Sequence, residues 1–382
     1  MLAPASAAPT EPDRRPIRVA FDAHAVGRRQ TGNERYAVEL ATALAARDDI
    51  DLLAYVDRGT AWPADAPHRP RLVELRIRAP QLRIPFELPW RARADRAELL
   101  FVTYVGPPLA GLPVVAAVHD LSFEDQPELL DRATRLRLQW SVRMTVRRAA
   151  AVTAISRFTR ARLIDVYGLP PERVHHVPIG VGAQWRPPSG DEVARERAAH
   201  DLPPRFVLAV GTSEPRKNLP RLIAAVETLR ATGLPDLGLV ICGPFDRSDS
   251  VAQAIAKNRA MSWVRRTGYV DDATLRTLYG AADAVAYVSL YEGFGLPVLE
   301  ALASGATVVA SGATAVGEAA GDACVLVEPT DVDGIAAGVR AALEDEALRR
   351  TLRGRAAAHL AQFTWPRAAA AMAEVYRGVA RP

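Results

Sequence analysis

Two carboxylates, Glu292 and Glu300, stand eight residues apart in SLYEGFGLPVLEALASG, residues 289–305, with two glycines and a proline between them. The apolar run AVAYVSL that leads into the stretch reads as a buried strand. LPVLEALASG reads as a helix with Pro297 in its first turn, where a missing N–H costs nothing. Strand, tight turn and helix put Glu292 in the turn and Glu300 about one turn into the helix. Both then lie near the carboxyl edge of a parallel sheet, where α/β folds bind ligands. Carboxylates in such a place accept hydrogen bonds from paired hydroxyls, one on a sugar ring and one on a ribose. The turn N–H groups of Gly293, Phe294, Gly295 and Leu296 suit phosphate oxygens.

A second stretch supplies the opposite charge. GTSEPRKNLPRLI begins with Gly211, which closes an apolar strand and lets the backbone approach a ligand. Arg216 and Lys217 follow, at the start of a helix expected near Asn218. Two cations there oppose the helix dipole unless an anion joins them, and a diphosphate is such an anion. The chain has 48 basic side chains, of which two are lysines, Lys217 and Lys257. A lysine where arginine is the rule points to a need for a compact point charge. GFGLPV carries Val298 where the dinucleotide fingerprint has its third glycine, so a nicotinamide oxidoreductase is the weaker reading.

These residues need a scaffold, and 382 residues suffice for two α/β domains. Hydrophobic content of 49% and charged content of 24% fit a globular chain. Apolar runs such as IRVAFD, DLLAYV, PVVAAV, FVLAVG and LGLVICG alternate with amphipathic stretches, including a long helical run over about 128–150. The pattern predicts two Rossmann-like domains, each a parallel sheet covered by helices, facing across a cleft. The boundaries fall at 17–182 and 205–363, with a Pro-bearing linker over 183–204 and a last helix over 364–382. Ser156 reads as a helix N-cap.

Cys242 and Cys324 lie in apolar runs and read as buried thiols, with no sign of an oxidising compartment. No apolar run approaches the roughly 18 residues of a membrane span. Residues 1–16 lack the apolar core of a secretion signal and read as a disordered tail. The expected location is cytoplasmic. The net charge of +4 is uneven: residues 1–180 hold 26 basic and 21 acidic groups, a balance of +5. RLRIPFELPWRARADR and RATRLRLQWSVRMTVRR gather arginines beside Trp90 and Trp140. Such segments suit anionic headgroups at the inner face of the cytoplasmic membrane, a lipid diphosphate, or simply solvent. The charge is too weak, and motifs too few, for a nucleic-acid partner.

EGFGLPVLE resembles the E-x7-E signature of retaining glycosyltransferases with the GT-B architecture, family 4, and GTSEPRKN is similar to that family's phosphate-binding turn. The resemblance runs over about residues 17–380. It implies that Arg216 and Lys217 neutralise the diphosphate of a nucleotide sugar, that Glu300 binds the ribose and that Glu292 binds the donor sugar. His119, followed by Asp120 in AAVHDLSFED, would face that sugar. RQTGNERY resembles the family's acceptor-side loop; Gly32 can still approach the diphosphate, while Asn33 and Glu34 replace the usual Ile-Gly. Ser156 and Arg157 match a cleft-lining segment, Arg157 touching phosphate or pairing with a carboxylate. Glu318 keeps an acidic position in VGEAAGD, and FTWPRAAAAMAEVYR resembles a final helix that returns to the first domain. The family implies no cofactor and no obligatory metal. HDLSFEDQPE resembles mannosyltransferases, which favours GDP-mannose over UDP-glucose or another UDP-sugar and a saccharide or lipid-linked acceptor. A nucleotide-sugar-binding protein without catalysis is the remaining alternative.

Overall fold

The computed structural model describes residues 15–28, 31–244, 250–258 and 260–381. Residues 1–14 of the expected tail, and Arg29 and Gln30 of RQTGNERY, lie outside the described residues. The first sheet is built from β1 (Ile17–Asp22), β2 (Ile50–Asp57), β3 (Arg71–Leu75), β4 (Leu99–Thr103), β5 (Val114–Val118), β6 (Ala151–Ala154) and β7 (Val174–His176). Their order is β3-β2-β1-β4-β5-β6-β7. The second sheet holds β8 (Arg205–Val210), β9 (Leu237–Cys242), β10 (Val264–Gly268), β11 (Ala284–Tyr287), β12 (Val308–Ser311) and β13 (Val325–Val327), in the order β10-β9-β8-β11-β12-β13. The pairing is parallel, with Val207 opposite Leu239 on one side and Ala284 on the other. The two Rossmann-like sheets expected from the alternation are present.

A strand covered by helices on both faces is apolar throughout, and in β9 all six residues are buried. Helices Leu219–Ala231 and Val332–Glu344 supply Leu222, Ile223, Val226, Ile335 and Val339 to the core around it. Cys242 and Cys324 are buried free thiols, as expected. The strand order fixes where chemistry can sit. In an open parallel sheet, ligands bind outside the carboxyl ends of the two strands at which the order reverses. In the second sheet these are β8 and β11. The loops leaving them, 211–218 and 288–295, contain Arg216, Lys217 and Glu292.

The chain divides into two compact units. One runs to Val102 and includes Gly106–Val115 and the residues from Ala369; the other holds Thr103–Val105 and Ala116–Ala368. Within the first unit, the last helix, Trp365–Ala380, sets Tyr376 edge-on to Phe101 at 5.9 Å, and Arg377 Nη2 donates to Asp49 at 3.0 Å. One expectation is corrected. The run expected as one helix over 128–150 starts at Arg132, because the Asp131 side chain accepts from Thr134 N at 2.9 Å and caps it there. A short helix, Ser122–Asp125, and a 3-10 turn, Pro127–Leu129, come before it. Within the stretch read as a linker, 183–204, lies the helix Gly190–Ala199. Its capping box, Ser189 with Glu192, outweighs the flanking prolines, and Glu192 pairs with Arg276 at 2.5 Å.

Candidate active site

The site begins with the turn after β8. Gly211 has φ +149°, and a Cβ there would lie 3.2 Å from Lys217 Cδ, so the lysine stem runs over bare backbone. Pro215–Lys217 is a 3-10 turn, not the first turn of the helix. Asn218 ends it at φ +60°, a left-handed conformation that asparagine tolerates, and leads into Leu219–Ala231. The Asn218 amide donates to the carbonyls of Val288 at 2.9 Å and Pro329 at 2.6 Å. Leu290 N donates to the Arg216 carbonyl at 2.7 Å. The loops after β8 and β11 are thus stitched together by the Asn218 side-chain amide and a main-chain hydrogen bond, and the charged side chains inherit that rigidity.

Glu292 sits between both cations. Lys217 Nζ lies 2.6 Å from Oε1 and Arg216 Nη1 2.6 Å from Oε2. Arg216 Nε also pairs with Glu214 at 2.6 Å, and Lys217 Nζ donates to the Tyr287 hydroxyl at 3.1 Å. Two positive and two negative charges balance here. Burial alone would raise the pKa of Glu292, but Lys217 and Arg216 outweigh it and hold the carboxyl below its usual range. Burial likewise works against the Arg216 charge, and the carboxylates of Glu292 and Glu214 overcome it and raise its pKa. Glu292 is therefore an ionised acceptor near neutral pH, unsuited to donating a proton.

The turn that carries Glu292 is packed against the segment that carries His119. A Cβ on Gly293 would lie 2.1 Å from the His119 carbonyl oxygen, a distance only glycine avoids. The Phe294 ring is buried 5.4 Å from Phe363, so it anchors the turn, and only its backbone is left for a ligand. Gly295 is the N-cap of Leu296–Ala303, with Pro297 at the start of the helix as expected. Glu300 lies on this helix, buried, and accepts from the Tyr279 hydroxyl at 3.3 Å.

His119 is buried, its ring edge-on to Tyr104 at 5.5 Å. Asp120 is fully engaged locally: Oδ2 accepts from the Tyr104 hydroxyl at 3.0 Å, and Oδ1 accepts from the Ser122 hydroxyl at 2.7 Å. The Thr159 hydroxyl donates to the His119 carbonyl at 3.1 Å. Ser156 is the expected N-cap, accepting from Thr159 N at 3.0 Å; it is completely buried, so its hydroxyl serves the cap and lines nothing. Arg157 is exposed beside it. The carboxylate of Glu318 accepts from the N–H groups of Arg157 at 2.9 Å and Phe158 at 2.6 Å, across the positive end of helix Arg157–Tyr167. The Tyr291 hydroxyl donates to Asp125 at 2.9 Å, and Asp125 pairs with Arg162. His119, Asp120, Arg157, Gly211, Arg216, Lys217, Glu292 to Leu296 and Glu300 thus belong to one compact unit. Gly32 and Asn33 belong to the other, both exposed in the first turn of Thr31–Ala45.

Burial pushes His119 down to about 4 from 6.5, against the upward pull of Asp120. Between about pH 6.5 and 4 the unfolded chain binds a proton that the folded chain refuses, so the stability from neutral His119 is complete above 6.5 and lost as pH falls. The span corresponds to roughly 3 kcal/mol. A His119→Gln variant is expected to show a flatter decline of melting temperature over that window than the parent; parallel declines would refute the burial of a neutral imidazole.

Several partners escaped the sequence reading. Glu214 stands two residues before Arg216, and that spacing was a usable signal. Tyr104, Tyr279 and Tyr287 gave none, because nothing local in their sequence shows which loop they reach.

Among the described residues, no group of three or more His, Cys, Asp or Glu is placed to hold a metal ion, and no helix is long and apolar enough to cross a membrane. Comparison with known proteins gives two family matches: Glycosyltransferase Family 4 over residues 31–185, and Glycosyl transferases group 1 over residues 191–359. The O-antigen chain mannosyltransferase B of Escherichia coli is 30% identical over 354 residues, covering 88% of this chain and 93% of that protein. A glycogen synthase of Mycobacterium tuberculosis is 37% identical over 182 residues, 47% of this chain and 44% of that one. Among solved structures, Anabaena HepE in complex with UDP-glucose matches with a TM-score of 0.75 and 20% identity, over 95% of this chain and all of that one.

Proposed function

This chain belongs to the group 1, family 4 glycosyltransferases, and from that premise we propose that it moves mannose from GDP-mannose to a hydroxyl of a saccharide or lipid-linked acceptor, with retention at the anomeric carbon. The observation that carries this reading is the Arg216–Lys217–Glu292 constellation at the reversal point of the second sheet. Arg216 and Lys217 take the donor's diphosphate and stabilise its charge as the sugar departs. These two cations supply the neutralisation a divalent ion would otherwise bring, so the reaction needs neither metal nor cofactor. Glu292, freed from part of its pairing as the phosphates arrive, accepts from sugar hydroxyls, as Glu300 does from the ribose. His119 faces the sugar as a neutral donor or acceptor, and the N–H groups of Gly293 to Leu296 face phosphate.

The transition state is oxocarbenium-like, and the leaving phosphate takes the acceptor's proton on the same face. A glycosidase-style acid and base pair fits poorly. Glu292 is held ionised by two cations, and Glu300 is enclosed against Tyr279. The mannosyl donor is favoured by the near full-length relative; a UDP-glucose donor is the second reading, favoured by the glycogen synthase that matches part of the chain. The reaction belongs in the cytoplasm, at the inner face of the membrane.

A thermal-shift panel of GDP-mannose, UDP-glucose, UDP-GlcNAc and UDP-galactose tests the donor, because a ligand that binds only the folded state raises the melting temperature by mass action. GDP-mannose is expected to give the largest rise, and Lys217→Ala to remove most of it. A larger rise with a UDP-sugar would replace the donor and leave the fold reading untouched.

A further inference from the structure

The first sheet has a ligand edge of its own. Its strand order reverses at β1 and β4, and β1 ends in Asp22, a buried carboxylate. His24 follows two residues later. Its Nδ1 lies 3.0 Å from Asp22 Oδ1 and is buried, while the side chain as a whole is 24% exposed. The exposure therefore falls on the far edge of the ring, the edge that carries Nε2.

A buried aspartate needs compensation. Burial would raise the pKa of Asp22, but His24 and Arg83 outweigh it and hold the carboxyl below its usual range. Arg83, in the turn Arg83–Glu87, is completely buried. Its Nη1 reaches Asp57 Oδ1, at the end of β2, at 3.4 Å, and Arg28 Nε donates to Asp57 Oδ2 at 2.9 Å. Two carboxylates thus face two guanidiniums, and the charge closes without an imidazolium. Nor is the network one of simple core pairing. Among the described residues, none hydrogen-bonds to Asp22 Oδ2 or to Arg83 Nε and Nη2. A chain that needed only a filled core would gain by placing apolar residues here.

What the network does fix is the imidazole. With Asp22 accepting at Nδ1, the proton stays on that nitrogen and the Nε2 lone pair faces outward in a set direction. Arg28 is paired and Arg83 enclosed, so no guanidinium at this edge waits for a phosphate. A directed lone pair suits a hydroxyl. We propose that His24, oriented by Asp22, binds a hydroxyl of the saccharide acceptor and thereby selects among acceptors. The proposal rests on the transferase reading above and is independent of which nucleotide sugar is the donor.

The test uses the p-nitrophenyl α-glycosides of mannose, glucose, galactose and N-acetylglucosamine as acceptors, with the nucleotide sugar that most raises the wild-type melting temperature. Wild type is expected to glycosylate at least one of them. His24→Ala should raise the KM for that glycoside about tenfold, the worth of one neutral hydrogen bond, and keep the donor-induced rise in melting temperature. His24→Phe retains the ring and loses both nitrogens. It should match His24→Ala, and it stands in for that variant should Ala fail to fold. Asp22→Asn should shift KM in the same direction, because an amide can turn its NH2 toward the ring and reverse the tautomer. A wild-type KM in His24→Ala or His24→Phe, a donor-induced rise lost together with the acceptor, or a wild type that glycosylates none of the four glycosides would each overturn the proposal. A wild type whose melting temperature answers to no nucleotide sugar is a different result: it brings down the transferase reading, and the proposal with it.

Discussion

Lys217→Ala lowers kcat/KM by about 10³-fold with any donor the enzyme accepts, the upper end of what one preorganised charge contributes to a transition state. The lysine is one of two cations at the loop after β8, and its stem has no freedom to be replaced from elsewhere: it lies on Gly211 with its ammonium between Glu292 and Tyr287. Removing it also leaves Glu292 buried with Arg216 alone, a penalty separate from catalysis. The two effects are separable. Melting temperature without donor reports the buried carboxylate, whereas the donor-induced rise reports the diphosphate. Lys217→Arg should not restore turnover, because a planar fork cannot occupy the path of a compact ammonium. Steady-state kinetics within threefold of wild type for Lys217→Ala would remove Lys217 from the reaction.

The charge balance explains why this variant is informative. Arg216 and Lys217 face Glu214 and Glu292, so the site is neutral before any ligand arrives. A diphosphate must therefore displace a carboxylate from its partners. Glu214, with about half its side chain exposed, is the easier one to release. The sequence signalled the cations and the turn glutamate but not their mutual pairing, since a distance between residues 217 and 292 depends on which strands are neighbours.

Legibility followed the range of the interaction. The strands read well because burial on both faces writes a continuous apolar run, as in β9. The Ser156 cap was visible because a cap is a relation between residues three apart. The helix inside the linker stretch 183–204 went unread although Ser189 and Glu192, three residues apart, form the capping box that starts it. Asn218 was read as a helix start; that its amide would tie Val288 and Pro329 was not legible, because those carbonyls are 70 and 111 residues away. Nor did sequence reveal that Glu318 would sit on the N–H groups of Arg157 and Phe158, though its acidic position was noted.

Gly293→Ala is the second change with a large expected effect, and it tests packing where Lys217→Ala tests charge. The added methyl would meet the His119 carbonyl oxygen at 2.1 Å and the Asp120 Cβ at 2.8 Å. Neither can yield cheaply. The His119 carbonyl is held by Thr159, and Asp120 is fixed by Tyr104 and Ser122. The backbone on one side must move, at about 1–3 kcal/mol for overpacking of this kind. The melting temperature should fall by roughly 2–6 °C. Activity should fall further than stability explains, by about 10²-fold, because a shift of about 1 Å separates His119 from Glu292, the residue next to the substitution. Gly32→Ala is the matched control: a Cβ there meets nothing within 4 Å, so its stability should be unchanged, and any loss of turnover would come from the ligand alone. A Gly293→Ala protein that melts and turns over like wild type would mean that the His119 segment and the Glu292 turn are not in contact in the working enzyme, and the assignment of both to one sugar site would fall with that contact.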